Sequence, residues 1–125
     1  MTARTSDQKG DHKMSDTPFL QASDEAAGAV QKSPNRVTLD KIKAKVRSVK
    51  YLNPETIPHM TIAVVLLQNG FAVTGQSAPA DAANFDRDLG EQFALEDALR
   101  RVWPLEAYLL REYLADEEAS RRDQK

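Results

Sequence analysis

The residues best suited to chemistry border an uncharged stretch in the middle of the chain. His59 lies near its start, and Ser77 lies within Gly75-Gln76-Ser77-Ala78-Pro79 at its far end. A strained strand-to-helix turn exposes the serine nucleophile of the α/β-hydrolases, but that motif ends in glycine, whereas this segment ends in Pro79. We therefore interpret Gly75 and Ser77 as residues that end a strand, and we predict no catalytic residue.

Charged residues that could bind an ion follow this segment. The three aspartates are Asp81, Asp86 and Asp88. They lack the spacing, the central glycine and the terminal glutamate of a calcium-binding loop. We interpret them as residues that cap or begin helices. The only other histidine, His12, is far from His59, and cysteine is absent, so the sequence predicts no metal site. There is no glycine-rich phosphate loop or dinucleotide motif, and we expect neither a cofactor nor an enzymatic activity.

One alternative is a site for a small anionic ligand, such as a nucleotide signal. Arg100-Arg101 could hold a phosphate or carboxylate, although balancing Glu96 and Asp97 is the simpler role for these arginines. Polar residues at one end of a predicted hairpin would complete the site. The candidate ligand-binding residues are His59, Thr74, Gln76, Ser77, Arg100 and Arg101.

A β-hairpin must position these residues. No charged residue lies between Thr56 and Ala80, and Asn69-Gly70 separates the apolar runs 60–67 and 71–75. Asn-Gly favours a two-residue type I′ turn, because both of its central residues need positive φ. This register gives one larger apolar face, which we expect to pack on helices: Ile62, Val64, Leu66, Phe71 and Val73.

A helix is predicted before the hairpin. Thr38 suits an N-cap, and apolar residues spaced three and four apart extend the pattern to about Tyr51. Five lysines and arginines flank this stripe, and we interpret them as a solvated face. A lower-ranked alternative is a nucleic-acid binder that uses Lys41, Lys43, Arg47 and Lys50, although no aromatic residue lies among them to stack on bases.

A longer helix is predicted after the hairpin. Asn84 or Asp86 would cap it, with Phe85 as a buried anchor, and an apolar face runs from Leu89 to Trp103. Pro104 must kink or restart this helix, because its ring clashes with the preceding turn and its N–H is missing. The apolar pattern then continues to Leu114.

The fold class predicted from these elements is α+β: a helix, a β-hairpin and a long C-terminal helix kinked at a proline. We expect residues 1–36 to be a disordered N-terminal arm, 37–115 a single small domain and 116–125 a charged, frayed tail. So small a core favours homo-oligomers. Residues 37–59 carry five cations against two acids and 81–125 carry seven against twelve, which suits contact between these regions or between subunits.

The order and spacing of several segments resemble a family of short phage and prophage proteins known by gene products 49 and 66. The resemblance covers residues 37–114 and is carried by Val37-Thr38-Leu39, Leu67-Gln-Asn-Gly-Phe71, Val73-Thr-Gly-Gln-Ser77, Asn84-Phe85-Asp86, Leu89-Gly90, Val102-Trp-Pro-Leu-Glu106 and Tyr108-Leu-Leu110. The family pattern places a cysteine after Ser-Ala, where this chain has Pro79, so no thiol role carries over. The family has no established activity, and no catalytic residue is transferred.

The resemblance implies a phage-encoded accessory protein in the cytoplasm of the bacterial host. Our leading expectation is a non-enzymatic protein that binds a host component, in the first place a host protein. The chain shows neither a secretory signal nor an apolar run of the roughly 18 residues that a membrane span requires, so we expect no membrane partner.

Overall fold

The computed structural model describes residues 14–123 and confirms the α+β class. Three antiparallel strands form one sheet, in which they lie side by side in chain order, and the buried side chains of the sheet and the helices form one core. In chain order the elements are α1 (Pro18–Ala29), α2 (Leu39–Ala44), β1 (Val46–Leu52), β2 (Thr61–Leu67), β3 (Ala72–Ser77), a 3₁₀ turn (Ala82–Asn84) and α3 (Arg87–Asp123).

The predicted helix from Thr38 to Tyr51 is wrong beyond its first turns. Thr38 caps α2 as expected, since its hydroxyl accepts a hydrogen bond from the Lys41 N–H at 3.2 Å. The helix then ends at Ala44, and the rest of the segment is β1, in which Val49 and Tyr51 are buried in alternation. As an edge strand, β1 forms hydrogen bonds with the edge of β2 that would otherwise be free. This pairing outweighs the preference for a helix that the spacing of the apolar residues indicates.

The hairpin between β2 and β3 is present, but its turn differs from the prediction. The Gly70 N–H donates to the Leu67 carbonyl at 2.9 Å and the Leu67 N–H to the Phe71 carbonyl at 2.8 Å, which closes a loop of three residues. Only Gly70 has positive φ, at 92°, among the described residues. This geometry is typical of a type I turn followed by a glycine bulge rather than a type I′ turn.

The longer loop shifts the pairing by one residue, so the other face of β2 lies on the core, whereas Val73 of β3 packs against the core as predicted. Leu66 pairs with Ala72 and Ala63 with Gly75, whereas a two-residue loop would pair Leu66 with Val73. Because side chains alternate along a strand, a slip of one residue exchanges the two faces. The buried side chains of β2 are therefore Thr61, Ala63, Val65 and Leu67, while Ile62, Val64 and Leu66 are only half-buried.

Helix α3 lies very close to this face of the sheet. Ala94, Ala98 and Val102 of the helix are completely buried, as are Ala63 and Val65 of β2. A Cβ atom on Gly75 would overlap the Ala94 carbonyl oxygen and the Ala98 amide nitrogen. Glycine at position 75 therefore sets the distance between the helix and the sheet.

The start and course of α3 follow the sequence pattern. The Asp86 carboxylate accepts a hydrogen bond from the Leu89 N–H at 2.9 Å, so Asp86 is the cap. The helix has 37 residues in total. Pro104 lies within it and does not end it. It extends through Asp123, so the expected tail after residue 115 is helical as far as the structure describes it.

The expected disordered arm is wrong for residues 14–36. Helix α1 packs on the core through Leu20, which is 4% exposed, and the Phe19 and Phe93 rings stack with centroids 5.8 Å apart. The N-terminal N–H groups of α1 are capped from α3, since Glu96 accepts hydrogen bonds from Phe19 at 2.8 Å and Leu20 at 3.1 Å. The expectation for residues 1–13 lies outside the described residues.

We predict that Gly75→Ala destabilises the fold by about 2 kcal/mol or more, because the added methyl group forces α3 away from the sheet. Gly28→Ala is the opposite control: its new Cβ would lie 3.4 Å from the nearest atom, on Arg36, and alanine favours a helix over glycine by up to about 1 kcal/mol. Urea denaturation measures both changes. Equal stability of Gly75→Ala and the wild type would contradict the close approach.

We predict that Glu96→Ala releases α1 from the core and costs about 3 kcal/mol, because two N–H groups lose a charged acceptor. Glu96→Gln keeps one acceptor oxygen and should lose about half as much. Far-UV circular dichroism should report lost helix, and trypsin should cut faster after Lys32. Glu112→Ala, at an exposed position of the same helix, is the matched control, and an unchanged cleavage rate in Glu96→Ala would show that the cap is dispensable.

Candidate functional site

The structure brings two of the six predicted ligand-binding residues together. His59 and Ser77, both partly buried, line a depression of about 140 Å³ at one end of the sheet. Asn84, Asp86 and Phe93 are among the other residues that line it. We call this depression the end pocket.

The end pocket places a histidine, a serine and a carboxylate along one depression. No hydrogen bond joins His59 to Ser77 within residues 14–123, and the Asp86 carboxylate beside them accepts the Leu89 N–H as a helix cap. A general base must lie within hydrogen-bond reach of the nucleophile that it activates. Within the described part of the chain, no group of three or more histidines or carboxylates could hold a metal ion.

Gln76 and Arg101 meet at a different place, on the Asp97 carboxylate. The Gln76 N–H donates to Asp97 at 3.0 Å, and the Arg101 guanidinium lies 2.9 Å from the same carboxylate oxygen. Asp97 thus protects the edge of β3 and neutralises Arg101, as predicted, whereas Glu96, the other acid expected to balance the arginines, caps α1 instead. Thr74 and Arg100 are exposed on β3 and α3.

The six residues therefore do not form one site, and the anionic-ligand alternative stays a prediction. The cations of the nucleic-acid alternative are also divided between elements, with Lys41 and Lys43 on α2 and Arg47 and Lys50 on β1. They are not the stripe of a single helix that the sequence analysis assumed.

A second concave surface was missed by sequence analysis. It is an open cleft of about 430 Å³ between α1, the loop that follows it and α3, and we call it the α1/α3 cleft. Its lining residues are Ser23, Asp24, Ala27, Asn35, Arg36, Val37, Trp103, Ala107 and Leu110. The apolar spacing of α3 indicated Trp103, but it did not indicate Leu110, and nothing in the composition of residues 14–36 indicated the opposite wall.

The rim of the α1/α3 cleft is fixed by an ion pair. The Arg36 guanidinium lies 2.9 Å from an Asp24 carboxylate oxygen, and that oxygen also accepts the Leu39 N–H at 3.1 Å. Arg36 donates a further hydrogen bond to Gln31 at 2.8 Å. These contacts tie the loop after α1 to the start of α2, so the cleft has a preorganised polar edge above an apolar floor.

A second depression, of about 300 Å³, lies where α3 passes the hairpin loop. We call it the tip groove, and its lining residues are Leu67, Asn69, Phe71, Leu105, Glu106, Tyr108 and Leu109. Phe71, Tyr108 and Leu109 expose more than half of their surface. Both concave surfaces are mostly apolar, which is typical of sites that receive a partner's side chains.

A titratable group lies next to the sheet on α3. Burial raises the pKa of Glu91; the Arg87 guanidinium, 4.0 Å away, offsets part of this rise and Asp88 adds to it. Burial also raises the pKa of Tyr51, although hydrogen bonds with Ser15 act in the opposite direction. Both groups belong to the core side of the sheet and face neither the α1/α3 cleft nor the tip groove.

Comparison with known proteins identifies the chain's relatives at the family level. A family model described as "Phage protein (N4 Gp49/phage Sf6 gene 66) family" matches residues 37–114, which is more than half of the chain. No curated protein and no solved structure matches the chain. Within residues 14–123 no helix has an apolar stretch long enough to cross a bilayer.

We predict that Glu91→Gln raises the melting temperature at pH 7 but not near pH 4. Because the folded-state pKa of Glu91 is raised, the stability that the neutral carboxyl contributes is present below the usual glutamate pKa and lost as the pH rises through the folded pKa. Glutamine remains neutral and avoids that loss. Thermal unfolding at both pH values measures the difference, with the exposed Glu55→Gln as the control; a lower melting temperature at pH 7 would contradict the prediction.

Proposed function

We propose that this chain, which belongs to the N4 Gp49/phage Sf6 gene 66 family of phage proteins, is a non-enzymatic accessory protein that binds a host protein. A phage gene product is made in the bacterial cytoplasm, and we place its action there. The observation that carries the proposal is the α1/α3 cleft, an open apolar surface with a fixed polar rim.

The composition of the cleft favours a protein partner. Tryptophan and arginine are enriched among the residues that dominate binding energy at protein interfaces, and here Trp103 lies in the same cleft as Arg36. The Asp24–Arg36 pair places a carboxylate, which accepts hydrogen bonds, and a guanidinium, which donates them, at the rim. Such a rim suits a partner's backbone and polar side chains. One apolar side chain of a partner would occupy the floor, between Val37 and Leu110.

The choice of a binding role over catalysis rests on the end pocket. Ser77 there lacks a hydrogen-bonded base, and the neighbouring carboxylate of Asp86 caps α3. A nucleophile needs an adjacent base or a depressed pKa to be reactive at neutral pH.

We predict that Ala107→Arg weakens host-protein binding at least tenfold, because the long side chain fills the cleft from its exposed wall. Ala22→Arg, an equal change at an exposed position of α1 outside the cleft, should bind like the wild type. Affinity purification from host lysate identifies the partner, and titration of the purified pair measures the dissociation constants. Equal affinities of Ala107→Arg and Ala22→Arg would exclude the cleft as the binding site.

The chain contains a single tryptophan, so fluorescence reports on the cleft directly. Partner binding should shift the Trp103 emission in the wild type and in Ala22→Arg. A partner that binds both proteins without changing this emission occupies another surface.

A further inference from the structure

Strand β2 is apolar on both faces, although the helices cover only one of them. Its outward residues alternate with the buried ones and are Ile62, Val64 and Leu66, all of them half-buried. The helices contribute their buried side chains to the core on the opposite face. An antiparallel sheet with one solvated face normally alternates apolar and polar residues. A strand that is aliphatic on both sides is typical of a sheet that is covered on both sides.

The edge strands add mostly uncharged side chains to this outward side of the sheet, which we call the outer face. The pairing places its nine residues in three rows across the strands. The middle row is Lys50–Val64–Thr74, and the rows on either side of it are Ser48–Leu66–Ala72 and Leu52–Ile62–Gln76. Lys50 is the only charged residue among them. An aliphatic stripe thus runs along the centre of the outer face, and its single charge lies to one side of the stripe.

The outer face is complementary to itself about a two-fold axis parallel to β2. Such an axis lays the aliphatic stripe of one copy on that of the other and places β1 of each copy against β3 of the other. Lys50 then faces Thr74 of the second copy, whose hydroxyl accepts a hydrogen bond from an ammonium group. An axis across the strands would set Lys50 against Lys50 instead. The position of this one charge therefore favours the axis parallel to β2.

The size of the outer face is that of a weak dimer interface. The seven residues of β2 span about 23 Å, and three strands with their side chains are about 20 Å wide. Each copy therefore contributes about 460 Å² and two copies about 900 Å², which is in the range of transient interfaces. We propose that the chain forms a homodimer in which the outer faces of two sheets pack together, with a dissociation constant of about 10 to 100 μM.

This dimer leaves the α1/α3 cleft of each copy open, because the cleft lies among the helices on the opposite side of the sheet. Two copies could then hold a host protein that has two identical subunits, which raises the overall affinity without any new contact. A variant that cannot dimerise still has one intact cleft. Failure of the dimer and failure of host-protein binding are therefore separate outcomes.

The mass of the full chain, measured by sedimentation equilibrium between about 1 and 500 μM, tests the proposal. The wild type should change from monomer to dimer over this range. Val64→Lys should remain a monomer, because it adds a second ammonium group to the middle row of each copy. Leu109→Lys, which places the same charge in the tip groove, is the matched control and should dimerise like the wild type. A wild type that is monomeric at the highest concentration, a Val64→Lys dimer or a Leu109→Lys monomer overturns the proposal.

A charge exchange at two exposed edge positions tests the axis without changing β2. Thr74→Lys should weaken the dimer about tenfold, because its ammonium group faces Lys50 of the second copy. Adding Lys50→Glu should restore the dimer, because the new carboxylate of each copy then faces the new ammonium group of the other. An axis across the strands would set like charges together in the double variant. Absence of this rescue, in a double variant with the circular dichroism spectrum of the wild type, overturns the proposed arrangement.

Discussion

The close approach of α3 to the sheet is the constraint on which the rest of the structure depends. Glycine at position 75 of β3 lies directly against the backbone of α3 at Ala94 and Ala98, and Ala63 of β2 is the small, fully buried residue that pairs with Gly75. Such contact requires the small side chains to face the helix, and it fixes which side of the hairpin is the core. The direction of residues 106–123 follows from the same contact, because the axis of α3 is set by the residues that touch the sheet.

Sequence patterns predicted the local features of the fold, but they did not predict the core face of β2, which depends on this close contact. The Asn69-Gly70 pair located the hairpin, and the Thr38 and Asp86 caps placed the starts of two helices. The core face was predicted from side-chain size, which favoured Ile62, Val64 and Leu66 over Ala63 and Val65. Size is a poor guide where a helix backbone lies against a strand, since the smallest side chains then mark the contact. The extra loop residue, which shifts the register, cannot be distinguished from a two-residue turn by the dipeptide alone.

The N-terminal helix shows a second limit. Residues 14–36 have too few large apolar side chains to predict a packed element, and their anchor is a carboxylate from residue 96, contributed by a distant helix. A buried acid that caps another helix leaves no periodic signal in the sequence. The α1/α3 cleft was missed for this reason, because one of its walls is made by α1 and the loop after it. The six candidate ligand-binding residues were predicted from the ability of their side chains to bind an anion, and the fold places them at separate positions.

The carboxylate of Glu96 joins α1 to α3 by accepting hydrogen bonds from two N–H groups of α1. Leu20 and the Phe19–Phe93 stack are the principal apolar contacts of α1, whereas the sheet and α3 share the larger part of the core. Helix α1 can therefore detach as a unit while β1 to β3 remain folded, and its amide protons should exchange with solvent through this partial opening, before those of β2. The family match begins at residue 37, so this separable unit lies outside the matched region, and the cleft that it helps to form exists only while α1 is docked.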